Sequence, residues 1–349
     1  MKKIVKQVLG IDVAQKELVV MLGRMYEDLS SETIAYKVFA NNRKGFQAIL
    51  TWVKKLTDAI IPVRYVMEAT GVYHESFAYF LVDEGHEVSI VLPNKMSNFF
   101  RTLEVKTITD KTASEAILKF GLERKLDQWQ RPKPLFKKLK QLTRERDQVV
   151  AEKTLTKNQL HAEQAEAEPN TSSVGRIKER IELLNKQENE IQKEITVLVK
   201  TDENVRKSII NICSIPGVGM LTAVTVLAET NGLELVRNKK QLTSYAGLDV
   251  REKQSGTSVK GKATISKKGN RYLRKAMHMP SLSAIRHDER LKGVYTNLVA
   301  RHGIKMKAVV AIQRKLLEMI YTLYKKNELY DKEYLHTKKV QKIEEPSLK

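Results

Sequence analysis

Val8-Leu9-Gly10-Ile11-Asp12-Val13-Ala14-Gln15-Lys16-Glu17-Leu18-Val19-Val20 places one carboxylate between two apolar runs. Runs of this kind form strands in the middle of a sheet, with β-branched residues packed on both faces. A lone Asp there costs several kcal/mol of desolvation unless something pairs with it. Asp12 therefore has two readings. One is a ligand of a divalent metal, which prefers carboxylate oxygen. The other is an Asp at a strand end accepting backbone hydrogen bonds in a turn.

Outward from that stretch, strands and helices alternate. Ile34-Ala35-Tyr36-Lys37-Val38-Phe39-Ala40 is a second strand, with a hairpin turn over 23–31. Asn41-Asn42 caps a helix over 43–55, whose apolar face is Phe46, Ile49, Leu50 and Val53. Arg64-Tyr65-Val66-Met67 is a strand running into Glu68-Ala69-Thr70-Gly71-Val72-Tyr73, where Gly71 lets the backbone approach closely. A helix over 74–84, Gly85 as its stop and a strand over 87–92 follow. Such alternation indicates an α/β domain with a partly parallel sheet, whose ligands gather at the carboxyl ends of strands. Asp12 lies within the first strand and Glu68 closes a later one. A third acid, Asp110, sits in Lys106-Thr107-Ile108-Thr109-Asp110-Lys111-Thr112 before a helical run over 113–121, where an N-cap is its ordinary role. Three such carboxylates meeting at one point would suit two divalent ions and an in-line phosphoryl displacement.

The bulk composition narrows the partner. The chain has 349 residues, enough for two or three domains, and 62 Lys and Arg against 41 Asp and Glu give a net charge of +21. That field favours a polyanion, and without an amphipathic anchor or lipidation signal nucleic acid is preferred over a membrane surface. No apolar run approaches the roughly 20 residues that span a bilayer, and the basic start Met1-Lys2-Lys3 leads straight into a strand rather than a cleavage site. The single cysteine, Cys213, excludes intramolecular disulfides, fits a reducing compartment and reads as a small buried apolar residue.

Arg131-Pro132-Lys133-Pro134 marks a break. The following 136–200 is rich in Lys, Glu, Gln and Leu, with an apolar seam at Ile177, Ile181, Leu184, Ile191, Ile195 and Leu198 and Glu188 within it. Glu168-Pro169-Asn170-Thr171-Ser172-Ser173-Val174-Gly175 is a turn cluster between two arms. The reading is a helical hairpin of coiled-coil character, about 45 Å per arm, whose seam closes within the hairpin or on a second subunit. Beyond it, Ile215-Pro216-Gly217-Val218-Gly219 before a helix over 221–229 resembles a helix-hairpin-helix turn that offers backbone N–H groups to a phosphate; a plain helix–helix turn is the alternative. Gln254-Ser255-Gly256-Thr257-Ser258-Val259-Lys260-Gly261-Lys262 and Ile265-Ser266-Lys267-Lys268-Gly269 form a Ser-, Thr- and Gly-rich stretch flanked by cations. It reads as a flexible basic loop or as a phosphate cradle with a hydroxyl nucleophile. A helical region over 281–328 carries Lys305, Lys307, Arg314 and Lys315 as solvated or phosphate-facing cations. His278 and His287 lack metal-ligand spacing, and 331–349 is a charged tail.

Three segments together, Ile11-Asp12-Val13-Ala14-Gln15-Lys16, Met67-Glu68-Ala69-Thr70-Gly71 and Thr109-Asp110-Lys111, resemble the RuvC-like domain of the DEDD-type insertion-sequence transposases, the IS110 family. The block from Ile215-Pro216-Gly217 through Ala246-Gly247-Leu248 to Ser255-Gly256 and Lys268-Gly269 is similar to that family's second domain. The resemblance implies an α/β RuvC-like (RNase H-like) domain over 1–130, a coiled-coil helical hairpin over 131–205 and a mainly α transposase domain over 206–330. It implies Asp12, Glu68 and Asp110 as ligands of Mg²⁺ (or Mn²⁺) and Ser255 as nucleophile, ahead of Ser258 and Ser266. The family's fourth acid falls at Ala113, so Glu115 is the substitute candidate beside its reading as a solvated glutamate. Implied partners are donor and target DNA, a non-coding bridge RNA and further copies of the chain, as a dimer or a tetramer in synapsis, in a bacterial cytoplasm. Rival readings are a metal-only nuclease such as a Holliday-junction resolvase, a site-specific invertase of the same fold, and a non-catalytic nucleic-acid-binding protein with a decayed site.

Overall fold

The computed structural model describes residues 2–332 except 70, 104–106, 108, 253, 256–258 and 262–263, and at 254–255 and 259–260 it describes the backbone. The chain forms two compact units, Met1–Arg131 and Pro132–Lys349.

The first unit opens with three long strands, β1 (Ile4–Val13), β2 (Glu17–Tyr26) and β3 (Ser31–Ala40). β2 runs beyond Gly23, so the predicted turn shrinks to the few residues around Leu29, whose φ is +63°. Helix α1 (Arg43–Leu56) is capped by Asn42, whose side chain accepts from the Gly45 N–H. Next come β4 (Val63–Glu68), α2 (Glu75–Asp83), β5 (Glu87–Val91), α3 (Pro93–Phe100) and α4 (Asp110–Glu123). After the strand read over 87–92 the structure starts α3, a helix the sequence reading did not include, with Pro93 in the first turn where its missing N–H costs nothing.

The sheet order is β3-β2-β1-β4-β5, antiparallel among β1–β3 and parallel among β1, β4 and β5. Leu9, Ile11, Val13, Tyr65 and Met67 pack on one face with Phe46, Ile49, Phe77 and Leu81 of α1 and α2. Val8, Met21 and Val66 pack on the other with Met96 and Phe99 of α3 and Ile117, Leu118 and Leu122 of α4. Both faces are thus covered, which is why β1 lacks clean alternation of polar and apolar residues. Trp129 extends the free edge, its N–H donating to the Val88 carbonyl, while its ring stacks on Tyr79.

The second unit begins with α5 (Pro134–Gln164) and α6 (Thr171–Lys200). They run antiparallel: Glu188 pairs with Arg146 at 2.6 Å and with Lys153, while Arg180 reaches Gln159. Asn170 caps α6 from the Ser173 N–H, so helix resumes earlier than the predicted turn cluster allowed. Val199 is buried where the heptad reading chose Leu198, the drift expected of 3.6 rather than 3.5 residues per turn. Then follow α7 (Glu203–Cys213), α8 (Met220–Glu229) and α9 (Lys239–Tyr245). Four two-residue strands come next, β6 (Val250–Arg251), β7 (Gln254–Ser255), β8 (Val259–Lys260) and β9 (Thr264–Ile265), with β6 pairing β9 and β7 pairing β8. The unit closes with α10 (Arg271–Ala276), α11 (His278–His287), α12 (Glu289–His302) and α13 (Lys305–Lys326). One apolar core joins the long helices to the rest, from Phe136 and Leu139 through Leu227 and Leu248 to Leu316 and Ile320. Among the described residues no helix is long and apolar enough to cross a membrane.

Candidate active site

The acids meet through strand register. β1 and β4 are parallel with Ile11 opposite Met67, and the next residue on each strand is Asp12 and Glu68. Ile11 and Met67 point into one core, so Asp12 and Glu68 belong to the opposite face, the one that α4 covers. Gly10, on that same face, is where α4 touches β1. α4 starts at Asp110, so its amino end brings a third carboxylate to the carboxyl ends of β1 and β4.

Asp110 does not cap this helix. Thr109 does, accepting from the Thr112 N–H at 3.2 Å while the Thr112 hydroxyl accepts from the Thr109 N–H at 2.7 Å. The N-cap reading of Asp110 is thereby replaced: the capping bonds are made by two threonines, and the Asp110 carboxylate is left exposed at the first helical position.

Electrostatics record the convergence. The Asp12 carboxyl is pushed up to about 6, first by burial, then by the negative charge of Asp110 and, more weakly, of Glu68, against a lowering hydrogen bond from the Val13 N–H. Among the described residues neither Asp12 nor Asp110 has an ion-pair partner. Asp12 and Asp110 thus present hard carboxylate oxygens of the kind a divalent cation prefers. Among the described residues, however, no group of three His, Cys, Asp or Glu side chains is placed to hold a metal ion.

Glu115 stands apart from these three. Its carboxylate pairs with Lys119 at 2.8 Å. Five residues on from Asp110, it is turned about 140° around the helix. Ala113 occupies the turn above Asp110, with no oxygen to offer. Gly71 has φ +60°, and among the described residues a Cβ there would meet only Tyr73, at 3.7 Å. Its role is the left-handed turn after Glu68, not the close approach expected from sequence.

In the second unit, Ser255 lies in β7, paired with Val259 of β8. Ser258 lies outside the described residues. Ser266 is held at the base of the same segment, its hydroxyl donating to Asp249 Oδ1 at 2.5 Å and its N–H to the Asp249 carbonyl at 2.9 Å. In the 215–219 turn, Gly217 has φ +87°, and a Cβ there would lie 2.6 Å from the Ala284 N, so this glycine serves helix packing against α11. Gly219 precedes α8 with open space beside it and no side-chain cap. The Cys213 thiol is raised by burial, as an inert core thiol would be. His278 shares a hydrogen bond with Gln313 at 3.1 Å. Lys305, Lys307 and Lys315 are exposed on α13.

Comparison with known proteins places the same regions. Residues 9–164 match a transposase family model of the DEDD IS110 type, and residues 210–296 match the transposase IS116/IS110/IS902 family. A pilin gene-inverting protein of Moraxella bovis is 26% identical over 329 residues, covering 94% of this chain and 98% of that protein. The transposase for insertion sequence element IS1111A of Coxiella burnetii is 30% identical over 155 residues, 43% of this chain and 41% of that one. Among solved structures, T. thermophilus RuvC in complex with a Holliday junction substrate aligns with 32% of this chain and 90% of its own, at 10% identity and a TM-score of 0.25.

Proposed function

The chain belongs to the IS110 family of transposases, and we propose that it cuts and rejoins DNA with two sets of residues, one in each unit. The observation that carries this reading is the register that sets Asp12 beside Glu68 at the carboxyl ends of β1 and β4, with Asp110 at the amino end of the helix covering that face. The Asp12 carboxyl is raised first by burial and then by Asp110 and Glu68. Carboxylates gathered at strand ends, one of them raised by burial and by its neighbours, mark a candidate site for chemistry.

In the first unit, the α/β sheet is of the RuvC-like type, and Asp12, Glu68 and Asp110 would hold Mg²⁺ or Mn²⁺. When bound, the metal would polarise a phosphoryl oxygen and offset charge at the displaced one. The residues themselves set the site: Asp12 and Glu68 are fixed by adjacent strands, and Asp110 by the amino end of α4. Glu115, which pairs with Lys119, stands outside this set of three.

In the second unit, Ser255 is the nucleophile. Its hydroxyl adds to a DNA phosphorus and gives up its proton, while a deoxyribose oxygen leaves and takes one up. The resulting phosphoserine ester keeps the phosphodiester bond energy, so the reverse step rejoins strands without an external energy source. Lys267, Lys268, Arg271 and Arg274 surround the base of the segment with positive charge. A bridge RNA paired to donor and target DNA supplies the sequence choice, as in other guided systems, and the net charge of +21 suits both polyanions. The α5–α6 hairpin, as a coiled coil, joins copies into the dimer or tetramer that strand exchange needs.

Site-specific inversion is a second reading, favoured by the nearly full-length match to the pilin gene-inverting protein. The test is to purify the full chain with its bound RNA, sequence that RNA, and incubate the complex in Mg²⁺ with plasmids carrying the pairing sequences. A covalent protein–DNA adduct lost in both Asp12→Ala and Ser255→Ala is expected. Cleavage that persists in Ser255→Ala would establish a metal-only nuclease instead. Products inverted between two sites in one plasmid, and never inserted into a second, would select the inversion reading.

A further inference from the structure

Glu229 ends α8 completely buried, at 0% exposure. Burying a carboxylate is costly, and placing it at the negative end of a helix dipole adds to the cost. The apolar core around it needs no such group. What the carboxylate does is gather partners. Arg144 of α5 donates two hydrogen bonds to it, at 2.7 and 2.9 Å, and Asn270 donates one from its amide at 2.7 Å. Tyr245 donates its hydroxyl to the Glu229 backbone carbonyl at 3.3 Å.

These partners hold the two ends of the segment 246–270. The Asn270 N–H donates to the Tyr245 carbonyl at 2.7 Å, while the Asn270 side chain caps α10 through the Tyr272 and Leu273 N–H groups. Arg274 donates to the Ala246 carbonyl at 2.8 Å, across the neck from its own helix. Lys267 N–H to Gly247, the double contact of Ser266 with Asp249 and the β6–β9 pair continue the closure outward. A Cβ on Gly269 would lie 2.5 Å from the Tyr245 carbonyl, so the two ends touch backbone to backbone. Ser255 lies in the hairpin that this neck leads to.

We propose that Glu229, with Arg144 and Asn270, is the positioning centre of the serine-bearing segment, fixing where and in what direction it leaves the helices. The inference rests on the reading of Ser255 as nucleophile. A misplacement on the order of 1 Å can cost about 100-fold in rate, so a small relaxation of this neck is enough to matter.

Asn270→Ser provides the test, since serine still caps α10 but is too short to reach Glu229. Glu229→Gln is the second variant, keeping the shape while presenting an amide N–H to one of the donors, Arg144 or Asn270, from which the carboxylate accepts. The full chain with its co-purified RNA is mixed with duplex DNA carrying the paired sequences in Mg²⁺. Adduct formation is followed in single turnover at saturating DNA, with DNA Kd and thermal midpoint measured in parallel. The expected result for both variants is an adduct rate lower by about 10- to 100-fold, with Kd near that of the unmodified chain and faster amide exchange within 246–270. The midpoint stays near that of the unmodified chain in Asn270→Ser and falls in Glu229→Gln, where Arg144 loses its buried counter-charge. A rate equal to that of the unmodified chain in both variants, with Ser255→Ala inactive, overturns the positioning role alone. Undiminished adduct in Ser255→Ala overturns the serine reading and this inference with it.

Discussion

A Cβ on Gly10 would lie 2.4 Å from the backbone nitrogen of Leu118, so α4 rests with its main chain directly on β1. Two residues beyond Gly10 is Asp12, and two turns before Leu118 is Asp110. This contact therefore sets how closely the two acids approach. Gly121 deepens the seat, with room for a Cβ only 2.7 Å from Val8 and 3.0 Å from Val66. At the far end Lys6 donates its ammonium to the Leu122 and Arg124 carbonyls, at 3.0 and 2.9 Å, closing the helix C-terminus.

Gly10→Ala forces α4 away from the sheet. Overpacking of this kind should cost about 2–3 kcal/mol, read by urea denaturation, and should lower divalent-cation affinity through a displaced Asp110. Gly175→Ala is the control. It lies in α6 with nothing within 4 Å of the added methyl, so it should stabilise by about 0.5–1 kcal/mol. If the two variants behaved alike, close packing at Gly10 would not be what holds α4.

Asp12→Asn should stabilise the metal-free protein while removing activity. The Asp12 carboxyl is pushed up to about 6 in the folded chain from an ordinary value of 3.8, so the folded state binds this proton more tightly than the unfolded state does. Its ionisation therefore destabilises, beginning near the unfolded value and complete once the pH has passed the folded one. In EDTA at pH 7.5 the variant should be more stable by about 1–2 kcal/mol, after allowance for solvent screening of a half-buried group. The gain should vanish as the pH falls toward the unfolded value. Thermal melts across that range decide the matter.

Mg²⁺ or Mn²⁺ should raise the melting temperature of the unmodified chain and fail to do so in Asp12→Asn or Asp110→Asn. At ten times the Kd the gain is about 1.4 kcal/mol. It should weaken as the pH drops through about 6, where Asp12 takes up its proton and ceases to be a ligand. An equal shift in all three proteins would show that the ions bind elsewhere.

Glu188 sits in the seam of the hairpin, its carboxyl held low chiefly by Lys153 and also by Arg146. Glu188→Ala leaves two cations and a cavity, at a cost of about 1–3 kcal/mol in chemical denaturation. Glu188→Leu fills the cavity but leaves the same two cations unpaired, so it should recover only part of that loss. Greater loss in Leu than in Ala would mean that the ion pair fixes the register of the two arms.

Much of the first unit was legible because its signals are local. Asn42 as a cap, Gly85 as a stop and the apolar run around Asp12 depend on neighbours in the chain, and the elements formed where those signals stood. Asp110 was visible as an acid at a helix start, but Thr109 as the true cap was not. Both residues cap helices well, and the choice is made by which side chain meets the Thr112 N–H. Glu229, alone in the apolar run of α8, was an available signal that went unread; its meaning lies in Arg144 and Asn270, 85 and 41 residues away.

By itself, the sequence determined the kind of molecule: alternating strands and helices followed by helices, a strong positive charge, and carboxylates at element ends, all consequences of periodicity and composition along the chain. Only the tertiary structure decided which carboxylates act on one another. Parallel pairing of β1 with β4 and the seating of α4 on Gly10 bring Asp12, Glu68 and Asp110 within electrostatic reach, while helix geometry gives Glu115 to Lys119. Register and close packing are relations between distant segments, and no local pattern of residues encodes them.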